Sequence, residues 1–164
     1  MNENHALVWI IAFAGVLALA RISVSVAADC QTASGDFTAV RPQSCSSPVG
    51  ICTHGTLKGD FPSTYDFVAD TLQAANDPNS PNKSLYTGHS VITTPKHGKL
   101  FGRDTGFLFV EEDGRAPFVT TVHIVGGTRQ YAGVSGQFVA PGVLDLAQGT
   151  TDGTYTAIIC DGED

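Results

Sequence analysis

The run from Phe118 to Gly136, Phe-Val-Thr-Thr-Val-His-Ile-Val-Gly-Gly-Thr-Arg-Gln-Tyr-Ala-Gly-Val-Ser-Gly, restricts the possible folds more than any other stretch of this chain. From Phe118 to Val125 every residue is β-branched, aromatic or histidine, which suits a pleated strand and not a helix. Gly126, Gly127, Gly133 and Gly136 then crowd the second half, so the backbone turns sharply and resumes. A long strand, a glycine corner and a second strand is how an antiparallel sheet curls back on itself.

The rest of the chain repeats the theme. Leu57, Phe61, Tyr65, Phe67 and Ala69 share odd positions, while Lys58, Asp60, Asp66 and Asp70 share even ones. That period of two predicts strands with one buried and one wetted face, interrupted at Pro62, which cannot donate to a ladder. Residues 73–83 are a loop by composition, with a glycosylation sequon at Asn82-Lys83-Ser84. Leu85–Thr94 and Lys99–Glu111 read as strands around a Pro95–Gly98 turn, and Asp113-Gly114 marks a hairpin. Val134–Leu146, bent at Pro141-Gly142, and Thr154–Cys160 complete the set. Roughly seven or eight strands with no helical period make the chain all-β. Many of its 18 glycines fall inside strand patterns, where they mark bends and close approaches. We therefore expect a small closed antiparallel barrel of seven or eight strands, with a two-sheet sandwich as the alternative.

The N-terminus belongs to a different kind of segment. Residues 6–20 are uncharged and mostly apolar, and small residues around Val26 and Ala28 suit signal-peptidase cleavage. The run is shorter than the roughly 20 residues of a membrane span. Residues 1–28 are thus expected to be a signal peptide, with a retained anchor as the alternative. That places the chain outside the cell or in a periplasm, with no stable membrane insertion after cleavage. Residues 29–52, rich in Ser, Gln, Pro and Gly, read as an irregular arm tethered by cysteine, and 53–164 as the barrel domain. In an oxidising compartment Cys30, Cys45, Cys52 and Cys160 imply two disulfides. Cys52 opens the first expected barrel strand and Cys160 ends the last, which favours Cys52–Cys160 with Cys30–Cys45. A local Cys45–Cys52 bridge is the competing pairing. With a net charge of −7 and no basic cluster, nucleic acid and anionic membrane are poor partners. No Cys-x-x-Cys pair occurs and the histidines lack ligand spacing, so no metal is expected. Nucleophile-elbow and phosphate-loop motifs are missing too, which leaves hydrolysis and phosphoryl transfer unsupported.

Ile124–Gly136 resembles the Gly-Gly-Thr-Gly-aromatic…Gly corner shared by plant dirigent proteins and allene oxide cyclases, with Arg129 where those families carry the last glycine of the quartet. Phe101-Gly102-Arg103-Asp104-Thr105-Gly106 is similar to the Gly-Arg-x-x-Gly strand of dirigents, and Asp113-Gly114 falls at their hairpin. The cysteine-bearing stretch Cys45–His54 looks more like exported bacterial members of the allene-oxide-cyclase-like group. The resemblance spans about Leu85 to Cys160. It implies an eight-stranded barrel, a homo-oligomer (trimer or dimer), an apolar cavity at one mouth, and a cofactor-independent cyclase, isomerase or stereochemical guide for a small apolar molecule.

Site candidates follow from which residues can face such a cavity. Asp104 shares a face with Leu100, Gly102, Gly106 and Leu108, and a carboxyl in an apolar pocket can serve as acid or base. The competing reading is a solvated carboxylate paired with Arg103. His123 is the second catalytic candidate, weighed against a structural, hydrogen-bonded imidazole. Arg103, implied by its place in the dirigent-like strand, and Tyr65 and His89 are candidate substrate-binding residues, each with a structural alternative: surface ion pair, core packing, strand surface. A non-catalytic, disulfide-stabilised binding or surface-interaction barrel is the competing function.

Overall fold

The computed structural model describes residues 29–162. The signal segment expected at 1–28 lies outside the described residues. Eight antiparallel strands run in chain order: β1 Cys30–Val40, β2 Cys52–Leu57, β3 Ser63–Ala74, β4 Lys83–Thr94, β5 Gly98–Phe109, β6 Arg115–Gly127, β7 Ser135–Asp145 and β8 Thr150–Cys160. Each pairs with its neighbours in sequence, and β8 returns to β1, so the barrel closes. Closure leaves no free sheet edge. Pro62 falls in the link between β2 and β3, where its missing N–H is harmless.

The irregular arm expected over 29–52 is corrected by this topology, because Cys30–Val40 is a full barrel strand. It pairs with β8 along its whole length, from Cys30 opposite Cys160 to Val40 opposite Thr150. Its composition hid it. The inward positions include Ala33, Gly35 and Ala39, with Phe37 the one large apolar side chain among them. They are small because others fill the space: a Cβ on Gly35 would stand 1.8 Å from the Lys58 carbonyl oxygen and 3.0 Å from the Tyr155 ring.

The same strand overturns the favoured disulfide pairing. The bonds are Cys30–Cys160 and Cys45–Cys52. Since β1 sits between β8 and β2, Cys160 meets Cys30 across the seam, their Cα atoms 4.0 Å apart. Cys52 lies toward the other end of the barrel, opposite Val68 of β3. Its partner comes from the β1–β2 connection, which leans on β3 through Ser47 Oγ donating to the Ala69 carbonyl and Ala69 N–H donating to the Ile51 carbonyl.

The glycine corner after β6 holds one 3-10 turn, Arg129–Tyr131. Thr128 ties it to β5 in both directions: its N–H donates to the Lys99 carbonyl and its Oγ1 accepts from the Lys99 N–H. Arg129 stands at φ +59°, in the left-handed region. A side chain there costs about 1 kcal/mol that glycine avoids. Arg129→Gly is therefore expected to raise stability by about 0.5–1 kcal/mol after allowing for glycine's freer unfolded chain. Chemical denaturation would show it; a loss of stability would mean that the arginine side chain holds the corner.

Candidate functional site

Parity along each strand decides what enters the barrel. Tyr86, Gly88, Ser90 and Ile92 of β4 point inward, as do Leu100, Gly102, Asp104 and Leu108 of β5 and Ala116, Val122 and Ile124 of β6. At the end nearest the glycine corner the interior is packed solid. Phe61 and Phe138 have ring centroids 5.8 Å apart, and Phe138 and Tyr155 6.0 Å apart. The Tyr155 hydroxyl donates to the Lys58 carbonyl and accepts from the Phe61 N–H, so the plug has no unmet polar group at that point.

Toward the other end, where the β1–β2 connection crosses, packing gives way to a cavity of about 110 Å³. Its walls are mostly aliphatic and aromatic, including Phe37, Leu57, Ile92, Leu108, Phe118 and Val122. An apolar cavity of about 150 Å³ stays dry and accepts benzene, so this space suits roughly one six-membered ring. Glycines keep room for the wall's own aromatics: a Cβ on Gly106 would come within 2.5 Å of the Tyr86 hydroxyl.

Six hydroxyls interrupt the apolar lining, those of Thr53, Tyr65, Tyr86, Ser90, Thr120 and Thr151. Tyr65 bonds Thr53 and Tyr86 bonds Thr120. Burial pushes the Tyr86 phenol up to about 12 and raises Tyr65 still further, so both remain neutral donors. Ser90 Oγ lies 2.8 Å from each carboxylate oxygen of Asp104 and donates to that group. Asp104 is 2% exposed, in the wall beside the cavity-lining serine. Burial lifts its pKa from 3.8 to about 6, and the Ser90 hydrogen bond and the nearby His89 only partly oppose this.

That arrangement has definite chemistry. With Asp104 ionised, the Ser90 proton is committed to the carboxylate and Ser90 presents lone pairs to the cavity. With Asp104 protonated, the carboxyl can donate to Ser90, which frees the serine O–H for a ligand. A carboxyl that changes charge near pH 6 thus alters the hydrogen-bonding sense of the wall without itself touching the ligand.

Of the residues chosen from sequence, Asp104 and Tyr65 are inside and the other three are not. Arg103, His123 and His89 face solvent on the outer wall. They form one row, His89 opposite Arg103 and Arg103 opposite His123. His89 is hydrogen-bonded to Asp70 at 2.9 Å, an exposed pair of little energetic consequence. Their parity removes them from any role in the cavity: Arg103 and Asp104 are adjacent in sequence, so their side chains leave the sheet on opposite faces. Among the described residues no group of three His, Cys, Asp or Glu is arranged to hold a metal. Sequence reasoning missed Thr53, Tyr86, Ser90, Thr120 and Thr151. The available signal was that Tyr86, Gly88 and Ser90 alternate on β4 as Gly102, Asp104 and Gly106 do on β5, but the pairing Ser90–Gly102 and Gly88–Asp104 requires the register.

Fold and cavity together define a closed antiparallel β-barrel with an apolar interior chamber and a buried serine–carboxyl pair. Among solved structures the chain is similar to a pterocarpan synthase dirigent protein, at 15% identity and a TM-score of 0.30, over 84% of this chain and 94% of that one. The barrel assignment rests on the chain's own strand pairing and not on that likeness. No family model matches the sequence, and no curated protein does.

Proposed function

We propose that this barrel is an exported binder of compact, mostly apolar molecules of about one ring. The cavity of about 110 Å³ carries that reading, because hydrophobic walls with a few convergent polar groups are how small-molecule sites are built. Two disulfides are consistent with an extracellular location. Titration of the labelled protein with cyclohexanone, followed by NMR, tests it. We expect saturable shifts confined to interior residues such as Phe37, Tyr86 and Ser90. Shifts on the outer wall alone, or none at millimolar probe, would remove the proposal.

A second reading adds cofactor-free proton transfer, a cyclisation or isomerisation assisted by Asp104 through Ser90. It is favoured by one observation: an ionisable group is kept in an apolar wall at the expense of stability, which is how acid–base groups are tuned. Tyr65 and Tyr86 would orient the substrate. The Asp104 carboxyl carbon should titrate near pH 6, and bound cyclohexanone should move that midpoint. A midpoint indifferent to the probe would leave binding without chemistry.

A further inference from the structure

Five of the cavity's six hydroxyls are already spoken for. Tyr65 bonds Thr53, Tyr86 bonds Thr120, and Ser90 bonds Asp104. Thr151 is different. Among the described residues its Oγ1 is the fully buried side-chain oxygen or nitrogen with no protein hydrogen-bond partner. The residue is 5% exposed, lines the cavity, and belongs to β8. Its cross-strand neighbours are Ala39 of β1 and Leu144 of β7, neither of which has a polar side-chain atom to offer. In the ring of eight strands β8 stands opposite β4, which carries Ser90.

A buried hydroxyl can leave its lone pairs unfilled at modest cost, but an unsatisfied O–H donor is expensive and rare. The missing partner is therefore an acceptor. Resting on the cavity-binding reading above, we propose that Thr151 is the specificity-determining anchor of the site. It donates to a carbonyl or ether oxygen on a neutral, ring-sized ligand whose apolar body lies toward Ser90. A purely hydrocarbon ligand leaves the Thr151 donor stranded. A carboxylate ligand would bring an unpaired charge into a cavity whose lining residues include none that is charged.

The test compares cyclohexanone with methylenecyclohexane, in which a CH₂ replaces the carbonyl oxygen, on the wild-type chain and on Thr151→Val. Valine keeps the shape and removes the donor. Both affinities are read by NMR titration. The ketone-to-hydrocarbon affinity ratio should fall about 5- to 10-fold in the variant, the worth of one neutral hydrogen bond. An unchanged ratio, with both probes bound, would overturn the role of Thr151 (a water already satisfying the hydroxyl would have this result) while leaving the cavity reading intact. Failure of both probes to bind the wild type would overturn the cavity reading and this inference with it. A measurement on the wild type alone guards against a variant that does not fold. The carbonyl carbon of bound, ¹³C-labelled cyclohexanone should resonate downfield of its position in cyclohexane; a hydrocarbon-like shift would contradict the proposal. Thr151→Ser should retain most of the wild-type ratio.

Discussion

Asp104→Asn is expected to make the barrel more stable at pH 8, by about 2–3 kcal/mol, and to change it little at pH 4. The sign follows from the direction of the shift. Asp104 has its pKa raised on folding, from 3.8 to about 6, chiefly by burial. The folded state therefore holds its proton more tightly than the unfolded chain. Its full contribution is present below about pH 4, drains away as pH rises through 6, and is gone above that. Two pKa units are worth about 3 kcal/mol, and the asparagine forfeits part of this by losing a charge-assisted bond from Ser90. Guanidinium denaturation at pH 4, 6 and 8 reads the effect. The wild type should lose stability between pH 4 and 6 relative to the variant. A variant less stable than wild type at pH 8 would mean that the carboxylate is well solvated or paired, and the candidate acid–base pair would lose its basis.

Cys30→Ser with Cys160→Ser is expected to cost about 4–5 kcal/mol, by far the largest loss from any pair of surface-lying substitutions. The two cysteines are 130 residues apart, so their bond encloses nearly the whole described chain. In the chain-entropy account the benefit grows with the logarithm of the loop, so Cys45→Ser with Cys52→Ser, seven residues apart, should cost only about 2–3 kcal/mol. The long bond also locks the β1–β8 seam, where the last and first strands must meet before the barrel closes. Such non-local closure is the slow and entropically costly step for this topology. Urea melts of both double variants, at matched pH and without reductant, would rank them. Equal losses, or a greater loss at Cys45–Cys52, would show that the short loop and not the seam limits stability.

The legible part of the site was its parity. The alternation along β5 put Leu100, Gly102, Asp104, Gly106 and Leu108 on one face, and that face is the interior. The alternation along β3 likewise put Tyr65 and Phe67 inside with Ala69. Parity says equally clearly that Arg103 and Asp104 diverge, and Arg103 is a candidate only through its place in a family motif. That motif is a string along one strand, whereas a cavity is built from alternate residues of several strands. His123 and His89 are placed outside by the same parity, each sharing its outward face with Arg103 across the ladder.

What the sequence by itself determined is the set of strands from β2 onward, their turns, and which residues of a strand share a side. These are local properties, written in the period of two and in Gly, Pro and Asp-Gly punctuation. Only the tertiary structure decided that Cys30–Val40 is a strand at all, that Cys30 meets Cys160, and that Ser90 reaches Asp104 while Thr151 reaches nothing. Small residues on β1 carry no strand signal until the Tyr155 ring that fills their space is in place. Which cysteines and hydroxyls become neighbours depends on register and closure, and both are set by packing between segments distant in the chain.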